Sequence, residues 1–251
     1  MIPLEMQYHK WYSPSLGRDM EIKVYGHGGR PVLFVPCQDG KFVDFENFHM
    51  TDVWAPYIEE GRCMVFSIDT IDQETYSATY NPYDRIRRHE QWIAYITNEV
   101  VPFMRAVVNE RNGWTGYPGC IAFGCSLGAT HAANLYFRRP DLFDGLLALS
   151  GIYDTEYGFP GYMDEVVYQN SPVHYLAGMP SDHPYVWQYN QHKAVICVGQ
   201  GAWETTDSTF RLRDIFAEKG INVWVDVWGH DVNHDWPWWY KQAAYHIPHV
   251  L

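Results

Sequence analysis

The 251-residue chain is 47% apolar and 17% aromatic, ample for a sizeable core and far from the composition of a disordered chain. Its formal net charge of −12 is spread along the sequence, which argues against nucleic acid and anionic membrane surfaces as partners, since phosphate binding needs clustered Lys and Arg. No segment approaches the roughly 18 apolar residues of a membrane span, and length alone leaves one or two domains open.

The N-terminus, MIPLEMQYHKWYSPSLGRDM, has no basic start ahead of a long apolar block, so no signal peptide is expected. Strand-length apolar runs then recur at 20–26, 31–36, 63–69, 120–124, 146–151, 194–201 and 221–229, each ending in Gly, Asp or Pro. From the third run onward helical patterns separate them. Residues 84–110 set Ile86, Trp92 or Ile93, Ile96, Val100, Phe103 and Val107 on one stripe, with a kink expected at Pro102. Residues 127–139 form a second helical stretch, and 207–220 a third that closes on a Gly C-cap signal. This alternation predicts an α/β protein with a mostly parallel sheet covered on both faces. Two stretches break it, at about 70–83 and 153–191, both long and rich in Tyr, Pro, Gly and Asn. They read as functional loops inserted into a single domain spanning 1–251, the second as an aromatic lid.

Ligands of such sheets sit beyond the carboxyl ends of the strands, so the residues after each run are the ones to weigh. Gly124-Cys125-Ser126-Leu127-Gly128 lies between a strand and a helix, the context of a nucleophile elbow. A serine hydroxyl needs a base to take its proton. Of 12 histidines, His9, His27, His89 and His131 fall in strand or helix regions and read as packing or surface residues. His230 and His234 lie in the loop after the last run, where a base could face Ser126. Together with Asp231 and Asp235 they could also bind a metal, but Asn233 and Pro237 indicate a loop in place of the helix that an H-x₃-H site wants. No metal or other cofactor is therefore expected. For the acid that orients the base, Glu204, Asp207 and Asp154 follow suitable runs. Glu204 is favoured, because Asp207 can serve as a helix N-cap and Asp154 as a turn residue. The oxyanion donors fall to the backbone N–H of Leu127, directly after the nucleophile, and of Gln38 in the loop after 31–36. The five cysteines (Cys37, Cys63, Cys120, Cys125, Cys197) form no CxxC pair and read as reduced structural thiols of a cytoplasmic protein.

With these residues assembled, the chain resembles the α/β-hydrolase superfamily, and within it the putative-esterase family of esterase D-like enzymes, feruloyl esterases and mycolyltransferases. The carrying segments are FGCSLGATHAANLYFRRPDLFDGLLALSG, VYQNSPVHYL and GHDVNHDWPWWYKQ. The last resembles the family's His-Asp-Trp-x-x-Trp ending, which singles out His234 over His230. The resemblance implies a Ser126–His234–acid triad hydrolysing small-molecule carboxylic esters through an acyl-enzyme. Two departures stand out: Pro36-Cys37 replaces the family's His-Gly at the oxyanion loop, and Glu204 stands where Asp is common. An acyltransferase using the same triad, or an inert hydrolase-fold carbohydrate-binding protein, are the alternatives. The sequence fixes neither the physiological ester nor the oligomeric state.

Overall fold

The computed structural model describes residues 4–116 and 119–251. Eight strands form one sheet: β1 (Met6–Ser13), β2 (Arg18–Tyr25), β3 (Arg30–Val35), β4 (Cys63–Ile68), β5 (Cys120–Cys125), β6 (Phe143–Leu149), β7 (Lys193–Val198) and β8 (Trp224–Val227). Their order is β1-β2-β4-β3-β5-β6-β7-β8. β2 pairs antiparallel with both neighbours, and β4 through β8 run parallel. The central strands are apolar over most of their length, apart from Arg30, Ser67, Asp144 and Lys193, because both faces are covered. In β3, Val32 and Phe34 enter one core while Leu33 and Val35 enter the other.

The first face is covered by α3 (Pro82–Tyr95), α4 (Val101–Asn112), α5 (Leu127–Arg138) and α9 (Asp207–Lys219). The second is covered by α2 (Met50–Glu59), preceded by the short α1 (Asp44–Asn47), and by the C-terminal α10 (Trp236–Val250). The apolar C-terminal segment thus packs on the body through Trp239, Ala243, Ile247 and Val250.

Three elements differ from expectation. β1 is an edge strand that alternates exposed and half-buried residues, so it has no apolar run to announce it. α2 buries Met50, Trp54 and Ile58, a helical i, i+4, i+8 spacing. Pro102 causes no simple kink: a π turn over Ile96–Val100 precedes it, and Pro102 falls in the first turn of α4, where its missing N–H is tolerated.

The two long connections are ordered. The first contains a 3₁₀ turn at Asp72–Glu74. The second contains α6 (Glu165–Gln169), α7 (Pro172–Gly178) and α8 (Pro184–Tyr189). Most of its aromatics pack the segment down: Tyr153, Phe159 and Tyr189 are fully buried, whereas Trp187 is exposed to solvent. Arg85 fastens the two connections together. It is buried, donates to the carbonyls of Tyr80 (2.9 Å), Thr75 (2.9 Å) and Gly158 (2.8 Å), and lies over the Phe159 ring. Arg85→Ala strands these carbonyls and is expected to destabilise the fold by about 3 kcal/mol, measured by urea unfolding. A change within about 0.5 kcal/mol would show that water replaces the guanidinium freely.

Candidate active site

The turn from β5 into α5 places Ser126 at φ 56° and ψ −130°, a left-handed conformation that non-glycine residues rarely adopt. The flanking glycines make the turn possible. A Cβ on Gly124 would stand 2.3 Å from the carbonyl oxygen of Gly128, and one on Gly128 would stand 2.2 Å from that of Val35. Strand and helix therefore approach closer than any side chain allows, and the serine hydroxyl projects at the strand's carboxyl end.

His234, in the loop between β8 and α10, presents Nε2 at 2.9 Å from Ser126 Oγ. Its Nδ1 lies 3.2 Å from Glu204 Oε2. The Glu204 side chain is 1% exposed. Its other oxygen accepts from Ser150 Oγ at 2.6 Å and from the Gly199 N–H at 3.2 Å. Two loops hold the acid and the histidine together, as the Gly201 N–H donates to the Val232 carbonyl (2.8 Å) and the His234 N–H to the Ala202 carbonyl (3.0 Å). Such an arrangement can take a proton from Ser126 and stabilise the resulting imidazolium.

The other acids named from sequence stand apart. Asp154 caps its own turn through Glu156 N–H and pairs with Arg211 at 3.3 Å. Asp207 is an exposed first residue of α9, with Thr206 at the N-cap position. His230, Asp231 and Asp235 are exposed, and Asp235 caps α10. Among the described residues the one grouping with metal-ligand character is Cys197, Asp226 and His246, which includes none of the loop residues named from sequence. There His246 Nε2 already contacts Asp226 at 2.9 Å, and Trp228 Nε1 donates to the same oxygen at 2.7 Å, so a structural pair accounts for it.

A cavity of about 290 Å³ opens on Ser126 and His234. Gln38 and Leu127 line it together with Thr130, Ile152, Tyr157 and Trp203, and no Lys, Arg, Asp or Glu does. As the first residue of α5, Leu127 has an N–H without a partner inside the helix. Gln38 is tied by its side chain, its Nε2 donating to Ser77 Oγ at 2.9 Å while Tyr157 OH donates to its Oε1. Of the aromatics in 153–191, Tyr157 alone lines this cavity, so the lid is mainly a packed structure and contributes one ring. The neighbouring Cys37 thiol is pushed up to about 12, mainly by burial and then by Asp44, and stays protonated at neutral pH.

Three further contributors were not named as site residues from sequence, although Trp239 closes the His-Asp-Trp-x-x-Trp ending. Ser150, itself at φ 59°, bridges Glu204 to the Trp239 indole N–H, which it accepts at 3.0 Å. Trp239 also sets its ring edge against His234, with centroids 4.9 Å apart. Trp203 is 89% exposed at the cavity mouth, at φ 66°. A serine after a strand, such as Ser150, or a tryptophan in a loop, such as Trp203, is too common for its spacing to mark it.

Residues 13–244 match the family model described as "Putative esterase". No curated protein matches the chain. Among solved structures, a ferulic acid esterase is similar with a TM-score of 0.73 at 14% identity, over 98% of this chain and 98% of that one. An S-formylglutathione hydrolase from Agrobacterium tumefaciens is similar with a TM-score of 0.71 at 14% identity, over 99% and 95%. A fluorophosphonate-binding serine hydrolase of Staphylococcus aureus follows with a TM-score of 0.65 at 12% identity, over 98% of each chain. These likenesses establish a shared α/β-hydrolase fold.

Proposed function

The chain belongs to the putative-esterase family and is an enzyme of the carboxylesterase type, and from that premise we propose that it hydrolyses small, uncharged carboxylic esters through an acyl-enzyme on Ser126. The observation that carries this reading is the continuous chain of contacts from Ser126 Oγ through His234 to a buried Glu204. Ser126 Oγ attacks the ester carbonyl carbon and its proton passes to His234 Nε2. Glu204 Oε2 accepts from His234 Nδ1–H, which sets the tautomer and stabilises the imidazolium. The carbonyl oxygen becomes an oxyanion held by the N–H groups of Leu127 and Gln38. Collapse expels the alcohol, which takes the proton from His234. Water then attacks the acyl-enzyme, gives its proton to His234 Nε2, and the second collapse returns that proton to Ser126 and releases the acid.

Cavity size and lining support the substrate class. About 290 Å³ lies at the small end for ligand pockets. A lining without charged side chains offers a carboxylate or phosphate on the substrate no counter-ion. The whole chain is read as one catalytic domain. The five cysteines are unpaired in the structure, which supports a reducing, cytoplasmic setting; among the described residues no helix is long and apolar enough to cross a membrane.

Hydrolysis of p-nitrophenyl esters of increasing acyl length tests this reading. Activity is expected to peak at short acyl chains and fall by about tenfold or more once the chain outgrows the cavity. A flat profile, or a maximum at long chains, would refute the small-acyl reading. Product analysis with added alcohols separates water from an alcohol as acceptor: acid as the main product is the expected result.

A further inference from the structure

Asp72, on the turn after β4, is a buried carboxylate, its side chain 2% exposed, that the chemistry above does not use. One oxygen lies 2.9 Å from Nε2 of His131, which is itself buried on α5, the helix that begins directly after Ser126. The other accepts the backbone N–H of Asp39 at 3.2 Å. Asp39 follows Gln38 and has φ 59°, so its peptide sits in an orientation the chain does not choose unaided. The same turn holds Gln38 a second way. The Asp72 carbonyl accepts the Ser77 N–H at 2.8 Å, and Ser77 Oγ accepts from the Gln38 side chain at 2.9 Å. Close by, the Thr70 hydroxyl donates to the Gly40 carbonyl at 3.1 Å. The oxyanion loop is thus gripped on both sides of Gln38 by one turn, and that turn is anchored to the nucleophile helix.

We propose that the Asp72 carboxylate and the Ser77 hydroxyl are positioning groups that hold the Gln38 N–H in register with the Leu127 N–H. The proposal rests on reading those two groups as the oxyanion donors. A buried carboxylate–histidine contact is weak evidence for stability, since desolvation offsets most of its attraction. Its placement between the two donors gives it a different use. The donor loop must be fixed before reaction, because a preorganised donor loses its effect when displaced by about an ångström. Pro36-Cys37 precedes Gln38 in this chain, and the clasp from the 72–77 turn supplies the rigidity.

The test is Asp72→Ala in the full chain. Alanine removes both acceptor oxygens, so the Asp39 N–H and the His131 ring both lose this partner. With p-nitrophenyl acetate, kcat is expected to fall about 10- to 100-fold with KM changed less than about threefold. The Ki of a trifluoromethyl ketone, whose hemiketal oxyanion fills the same site, should rise by a similar factor, while product acetate inhibits as in the wild type. A purely structural role would lower thermal stability and leave the kcat-to-KM split and the inhibitor ratio unmoved. Ser77→Ala removes only the Gln38 tether and reads the same loop should Asp72→Ala fail to fold; a smaller shift in the same direction is expected. An unchanged kcat and Ki in folded Asp72→Ala, or in Ser77→Ala if the former does not fold, overturns the proposal. A wild type without ester turnover would overturn the esterase reading and this proposal with it.

Discussion

Replacing Ser126 by alanine is expected to lower kcat/KM for ester hydrolysis by about four to six orders of magnitude. The loss follows from removing the atom that forms the acyl-enzyme; His234 then faces a methyl group, and only water can attack. What remains is the rate supplied by binding and oxyanion stabilisation. The substitution is clean, because alanine and serine bear similar strain at φ 56°, and the melting temperature should move little. Glycine at the same position should be as inactive but more stable, since it adopts that conformation without strain. A fluorophosphonate, which phosphonylates an activated serine, should add its mass to the wild type and not to the alanine variant. Labelling of Ser126→Ala, or retention of more than about one hundredth of the activity, would remove Ser126 from the chemistry.

The second large effect is expected from Glu204→Gln, with kcat falling about four orders of magnitude. Glu204 receives three donors with two oxygens: Ser150 Oγ, the Gly199 N–H and the His234 ring. Glutamine has one acceptor oxygen, and its NH₂ must face one side. If the NH₂ faces His234, Nδ1 becomes the acceptor and the ring proton moves to Nε2, where it points at Ser126 and cannot receive another. If it faces Ser150 and Gly199, a buried donor meets donors, and the side chain is displaced. Either arrangement removes the productive tautomer while leaving the cavity lining unchanged, so KM should change far less than kcat. Asp154→Asn and Asp207→Asn are the controls and should retain activity within about threefold, as neither side chain touches the histidine. A Glu204→Gln variant more active than either control would move the acid role elsewhere.

Much of this architecture is legible in one dimension. Central strands buried on both faces must be largely apolar, so β3, β4, β5, β6 and β7 stand out as runs. The edge strand β1 buries at most one face and hides in a polar alternation. Ser126 is legible because its constraint is local: two glycines and a sharp turn are needed within five residues. His234 and Glu204 were nameable as strand-end residues, yet their choice over His230, Asp154 and Asp207 rested on resemblance and on elimination.

Sequence by itself determined the α/β class with a mostly parallel sheet, the turn at Ser126 and the pool from which its partners come, because each depends on neighbours along the chain. Tertiary structure alone decided which carboxylate meets His234 and that Ser150 and Trp239 support it. It also decided that 153–191 packs down and leaves only Tyr157 at the cavity, and that Asp72 joins two loops to one helix. Those hydrogen bonds span 30 to 89 residues of sequence. A hydrogen bond specifies an ångström-scale separation in space and nothing about separation along the chain, so no spacing in the sequence could encode them.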